Sequence, residues 1–119
     1  MTVPDPSWGV DDIVAYLRLI GTEENRAGMA RFGINTATAL GVGNSDLRLL
    51  ARKVKKNHER SLLLWDTGIR EARLMAAFTG EPKKLDIGQC RRWAADFDSW
   101  EIVDTVADLF AETPFGREL

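Results

Sequence analysis

Apolar residues recur along this chain at three- and four-residue intervals, in segments of roughly 8–14 residues separated by Gly, Asn, Thr or Pro. That pattern constrains the fold more than any other feature. No run alternates with a period of two between hairpin turns, so strands are not expected. In "VDDIVAYLRLIG", Val10, Ile13, Val14, Leu17 and Ile20 share one face and Gly21 is a stop. Thr22 caps "TEENRAGMARFG", whose two glutamates fall in the first turn. "NTATALGVG" reads as a short or irregular turn. "SDLRLLARKV" opens on Ser45 as a cap. "HERSLLLW" is ended by Thr67 and Gly68, and "IREARLMAAF" by Thr79 and Gly80. Asp86 caps "DIGQCRRWAADF". Ser99 caps "SWEIVDTVADLFAE", which Pro114 closes.

Such helices with short connections build stacked antiparallel pairs. The expected fold is all-α, a short solenoid of helix pairs. A length of 119 residues fits one domain, and no linker or low-complexity segment divides it. Residues 1–119 are therefore read as a single helical-repeat domain. The lone cysteine, Cys90, cannot form an internal disulfide and has no metal-ligand spacing around it, so it reads as a small packed residue. No metal or cofactor is expected. No apolar run approaches the roughly 20 residues of a membrane span. The first residues have neither the basic nor the apolar part of a signal peptide, which points to the cytoplasm.

The net charge of −2 does not announce a nucleic-acid ligand, but its distribution is uneven. Leu47, Leu50, Ala51 and Val54 form an apolar stripe. Arg48, Arg52, Lys55 and Lys56 follow at i, i+4, i+7 and i+8 as a basic ridge. Such a ridge can neutralise successive phosphates. It can equally be a solvated helix face, which is the better reading of the ridge alone. The glycines of "GVGNSD" lead into this helix, where free N–H groups can hold a phosphate; an ordinary capped loop explains them equally well. Glu71 and Arg73 read as an internal salt bridge, and His58 as structural or solvated.

The helix from Trp100 carries a second feature. Ile102, Val103, Val106, Leu109 and Phe110 form its aliphatic stripe. Trp100 and Asp104 fall about 40° apart on the far side. Ala107 and Ala111 share that side and keep it low. The face meets either a second packing layer or a ligand, and the residues do not decide between them.

Three blocks, "RFGINTATALGVGNSDLRLLARKV", "LWDTGIREARLMAAF" and "WAADFDSWEIVDTVADLFAETPF", resemble the DNA alkylation repair enzyme family, the AlkD-like DNA glycosylases. Their order and spacing fit from Arg31 to Phe115, and the DFDSW-x-x-x-D block is the most specific part. The resemblance implies HEAT-like helix pairs with a basic groove for duplex DNA. It implies excision of cationic alkylated purines, such as 3-methyladenine and 7-methylguanine, without metal or cofactor. It implies a lesion-facing role for Asp104 and Trp100. The family domain is roughly twice as long, and its arginine comes from a later segment to which no residue of this sequence corresponds.

Alkylation makes the purine cationic and a good leaving group. A carboxylate beside the sugar stabilises the oxocarbenium-like state, and an indole face meets the cation. Three readings stay open: a glycosylase half or short form, a non-catalytic DNA-binding module, and a HEAT-like protein scaffold. A shortened solenoid also leads one to expect an exposed apolar edge at Leu109, Phe110 and Phe115 and self-association through the last helix.

Overall fold

A computed structural model describes residues 3–31, 36–97 and 100–114, the last without the side chain of Trp100. Among these residues there are seven α-helices and no strand. They are α1 (Val10–Ile20), α2 (Glu23–Arg31), α3 (Asn44–Val54), α4 (His58–Asp66), α5 (Arg70–Thr79), α6 (Ile87–Ala95) and α7 (Trp100–Ala111). One 3₁₀ turn, Pro82–Lys84, joins α5 to α6. No helix among the described residues is long and apolar enough to cross a membrane.

The local signals act as chain punctuation. In α1, Ile13 and Leu17 are buried, while Val10, Val14 and Ile20 pack at the margin of the core. The Thr22 hydroxyl accepts from the Asn25 N–H at 3.0 Å. Asp86 and Gln89 form a reciprocal capping box at the start of α6. Ser45 does not cap α3. The helix starts at Asn44, two residues earlier than a Ser45 cap would place it, with Gly43 at the N-cap, because the backbone is already fixed through Val42 by a side chain from α5. At the other end α3 stops at Val54, so Lys55 and Lys56 belong to the following turn and not to the helix. The Ser99 cap lies outside the described residues.

Helix α5 is the hub: it packs against α4, α3, α7 and α1. It is buried nearly all round, with Ala72, Leu74, Met75, Ala76 and Ala77 inside together with the charged pair Arg70 and Glu71. Helices α3, α5 and α7 lie side by side in one layer. Helices α4 and α6 meet on the other side through stacked indoles, Trp65 on Trp93, with centroids 4.5 Å apart and planes at 6°. The molecule measures 39 × 34 × 20 Å, and the short dimension is that of two helix layers.

The residues expected at an exposed apolar edge are in the core instead. Phe110 is 8% exposed and packs near Trp93 and Phe97, and Leu109 is 6% exposed. Trp93 of α6 and Phe97 pack against Phe110, and Leu109 lies against Gly80 at the end of α5, so both are covered without another helix pair. What α7 leaves open is Asp104, Ala107, Asp108, Ala111 and Glu112. Phe115 lies outside the described residues.

A buried carboxylate organises the approach to α3. Glu71 is fully buried, and its oxygens accept from the N–H groups of Leu40, Gly41 and Val42 at 2.8, 3.0 and 3.1 Å. The glycine-rich loop therefore cradles an anion, but the anion is the protein's own. Gly41 has φ +85°, and a Cβ there would come within 2.0 Å of the Thr22 carbonyl oxygen, so only glycine fits. The Glu71 partner is Arg70, at 2.8 Å, not Arg73. Arg73 turns outward, lies over the Trp65 ring at 4.9 Å and reaches Asp96. Asp96 also accepts from the Trp65 indole N–H at 2.9 Å.

Candidate nucleic-acid interface

Burial of Leu47, Leu50 and Val54 against the core turns the opposite face of α3 outward. Arg48, Arg52, Lys55 and Lys56 are all exposed. With Ala51 and Phe78 they line one open cleft of about 350 Å³. The four cations picked out by spacing thus share one surface, although two of them come from the turn after the helix.

That turn is held in an unusual conformation. Lys55 has φ +64° and ψ 172°, a region that non-glycine residues seldom occupy. Arg60 enforces it from beneath. Its guanidinium is 4% exposed in the residue as a whole, and it donates to the carbonyls of Trp8, Val54 and Lys55. Burial holds the Arg60 pKa below the ordinary arginine value. Asn57 then caps α4, accepting from the Arg60 N–H at 3.0 Å. One buried arginine thereby closes the end of α3 and presents Lys55 and Lys56 beside Arg52.

The floor of the cleft is aromatic. The Arg48 guanidinium lies over the Phe78 ring, 4.5 Å from its centroid, so the face of the ring is turned toward the basic ridge. Phe78 is half-buried at the end of α5. The sequence pattern shows it only as the last residue of the segment "IREARLMAAF", with no role assigned.

A second cleft of about 170 Å³ shares Arg48, Lys56 and Phe78 with the first and extends to Thr105 and Asp108 of α7 and to Glu112 just past its end. The two form one trough, cationic along α3 and acidic along α7. Asp104 is exposed on α7, one residue before Thr105 and one turn before Asp108. Its face is open to solvent and is not a second packing layer. The Trp100 side chain lies outside the described residues, so the Trp100–Asp104 pair is placed only by its helix.

Helix α7 is anchored by charge. Arg70 donates through Nε to Glu101 Oε2 at 2.8 Å and through Nη2 to Oε1, and it also donates to the Val42 carbonyl at 3.1 Å. Burial by itself lowers the Arg70 pKa, but the Glu101 and Glu71 carboxylates outweigh it and leave the guanidinium above its ordinary value. The approach to α3, α5 and α7 are therefore joined through one buried cation. Among the described residues no group of three His, Cys, Asp or Glu side chains is placed to hold a metal ion.

The fold and sequence have known counterparts. A solved structure from "a new family of proteins related to the HEAT-like repeat DNA glycosylases with affinity for branched DNA structures" superposes with a TM-score of 0.82 at 21% identity. The match covers 93% of this chain and 47% of that one, so this chain spans about half its length. The two proteins therefore share their fold over that stretch. No curated protein matches the sequence significantly. The sequence profile described as DNA alkylation repair enzyme matches residues 13–114, most of the chain. The chain belongs to the DNA alkylation repair enzyme family.

Proposed function

We propose that this chain binds DNA through the trough between α3 and α7 and contributes to recognition and excision of cationic alkylated purines. The observation that carries the reading is the convergence of Arg48, Arg52, Lys55 and Lys56 on one cleft that continues to the helix bearing Asp104. The cations neutralise phosphates of a duplex, with counterion release. Asp104 stands at the sugar of the lesion, and Trp100 meets the cationic base. The bond between the purine nitrogen and C1′ breaks, and its electron pair leaves with the base, which becomes neutral. Water adds to C1′ and loses one proton. Asp104 stabilises the positive charge on the sugar and orients that water. No protonation of the base is required, because alkylation has already made it a cation. In this reading residues 1–119 act as one helical-repeat unit of the larger family domain.

Replacing Arg52 and Lys56 by Gln weakens duplex binding alike on all sequences and flattens the slope of log K against log salt by roughly one to two units. Release of 7-methylguanine from a methylated duplex tests excision. Asp104→Asn abolishes it without changing stability, since the side chain is exposed. Release that persists in the Asn variant rules out the role of Asp104.

A second reading, DNA binding without excision, is favoured by the likeness to a structure whose family has affinity for branched DNA. Binding with no base release selects it. No duplex binding even at about 20 mM salt, where screening is weak, leaves a protein scaffold.

A further inference from the structure

The trough has three chemically different parts, and together they match one kind of strand. Its α3 side is cationic, its floor is the Phe78 ring, and its α7 side carries Asp108 and Glu112. All four α3-side cations and both carboxylates are exposed. Arg48, Lys56 and Phe78 line both clefts, so the basic and the acidic sides adjoin at these three residues.

Regular duplex DNA presents phosphates on two rails. A duplex laid across this trough would set one rail on Arg48, Arg52 and Lys56 and bring the other toward Asp108 and Glu112, where like charges repel. An unpaired strand has its phosphates on one edge only. Its other edge carries base π faces and amino donors. Phosphates against α3, a base on the Phe78 face and exocyclic amines toward the α7 carboxylates satisfy all three parts together. Phe78 already offers its face to a planar cation, Arg48, at 4.5 Å. Arg48 is exposed, and a base arriving on the ring displaces it onto a phosphate or onto the far side of the base. The volume of the larger cleft, about 350 Å³, lies in the usual range for small-ligand clefts.

We infer that the trough prefers an unpaired nucleotide within otherwise duplex DNA, with Phe78 as the stacking platform and Asp108 and Glu112 as the wall that weakens, without abolishing, the binding of a second phosphate rail. This rests on the DNA-binding reading above and names the form of DNA that the trough prefers. Phe78 is a specificity-determining residue here and takes no part in bond breaking.

The test is fluorescence anisotropy with two labelled probes of equal length, a perfect duplex and the same duplex with a five-nucleotide single-stranded gap. Base–aromatic stacking supports a preference of about tenfold for the gapped probe. Phe78→Leu keeps apolar volume at a half-buried site and brings the ratio of the two affinities close to one. The Asp108→Lys/Glu112→Lys double variant changes only exposed side chains and provides a second measurement that does not risk the fold. It raises affinity for the perfect duplex more than for the gapped probe, and the ratio falls. Equal affinities in the unmodified protein overturn the inference while leaving DNA binding in place. So does an unchanged ratio in the double variant or in folded Phe78→Leu. Failure of both probes to bind at about 20 mM salt overturns the DNA-binding reading as well.

Discussion

Arg70 and Glu101 lie 31 residues apart and meet in a two-pronged ion pair that ties α5 to α7. The guanidinium is nearly buried, and its remaining contacts are to Glu71 and the Val42 carbonyl. The orientation of the helix bearing Asp104 thus depends on a cation that also braces the loop before α3. Glu101→Ala leaves two buried donors without their partner. Stability should fall by about 3 kcal/mol, the low end of the cost of breaking a buried pair. Glu101→Gln, which retains one acceptor, should cost less. Urea unfolding of both variants measures the difference.

Glu71 supplies an anion to three consecutive N–H groups. A glutamine there presents an amide nitrogen where an oxygen accepted, so one backbone donor loses its acceptor. Glu71→Gln should destabilise by about 2 kcal/mol. It should also speed hydrogen exchange at Leu40, Gly41 and Val42 more than at the centre of α5. Protection at those amides equal to the parent's would show that the loop is held by other contacts.

Lys55 occupies a backbone conformation suited to glycine. Lys55→Gly and Lys55→Ala remove the same charge and the same side chain beyond Cβ, so both should weaken DNA binding equally. Their stabilities should differ, because only glycine relieves the strain. Lys55→Gly should be more stable than Lys55→Ala by about 1 kcal/mol. Thermal melts of the pair isolate the backbone effect.

Cys90 is fully buried in α6. Burial, with Asp86 nearby, raises its thiol pKa above the ordinary value. The reactive thiolate is therefore scarce in the folded protein, and reagent has no access to it. A thiol reagent at pH 8 should label Cys90 slowly in the native protein and at once in denaturant. Rapid native labelling would mean that α6 opens readily from the indole stack of Trp65 and Trp93.

Much of the helical framework was legible in the residues themselves because capping and amphipathic periodicity are local. Thr22, Asp86 and Gln89 cap through atoms within three residues of their targets. The stripe of α3 needs only the helical repeat to turn Leu47, Leu50 and Val54 inward and Arg48 and Arg52 outward. For the same reason the basic ridge could be named before its surroundings were known. The start of α3 was misplaced by two residues, and the basic ridge was carried past the helix end at Val54, because Glu71 and Arg60 set those limits from other helices.

Tertiary structure decided what the sequence pattern left open on each face. Periodicity put Asp104 opposite the aliphatic stripe of α7, and only the packing of α7 shows that this side is open to solvent. The same packing buries Phe110 against Trp93 of α6, where a shortened solenoid had suggested an edge. Glu71 and Arg73 looked paired by spacing, yet Glu71 faces inward toward Arg70 and the loop, while Arg73 turns out to Trp65 and Asp96. Phe78 gave no sign of its position, since one aromatic at the end of an apolar helix is ordinarily core. Its face became a floor because α3 and α7 flank α5 on both sides. A residue's facing follows from the helix that carries it; its neighbours follow from helices more than twenty residues away, whose placement depends on the burial of the whole core.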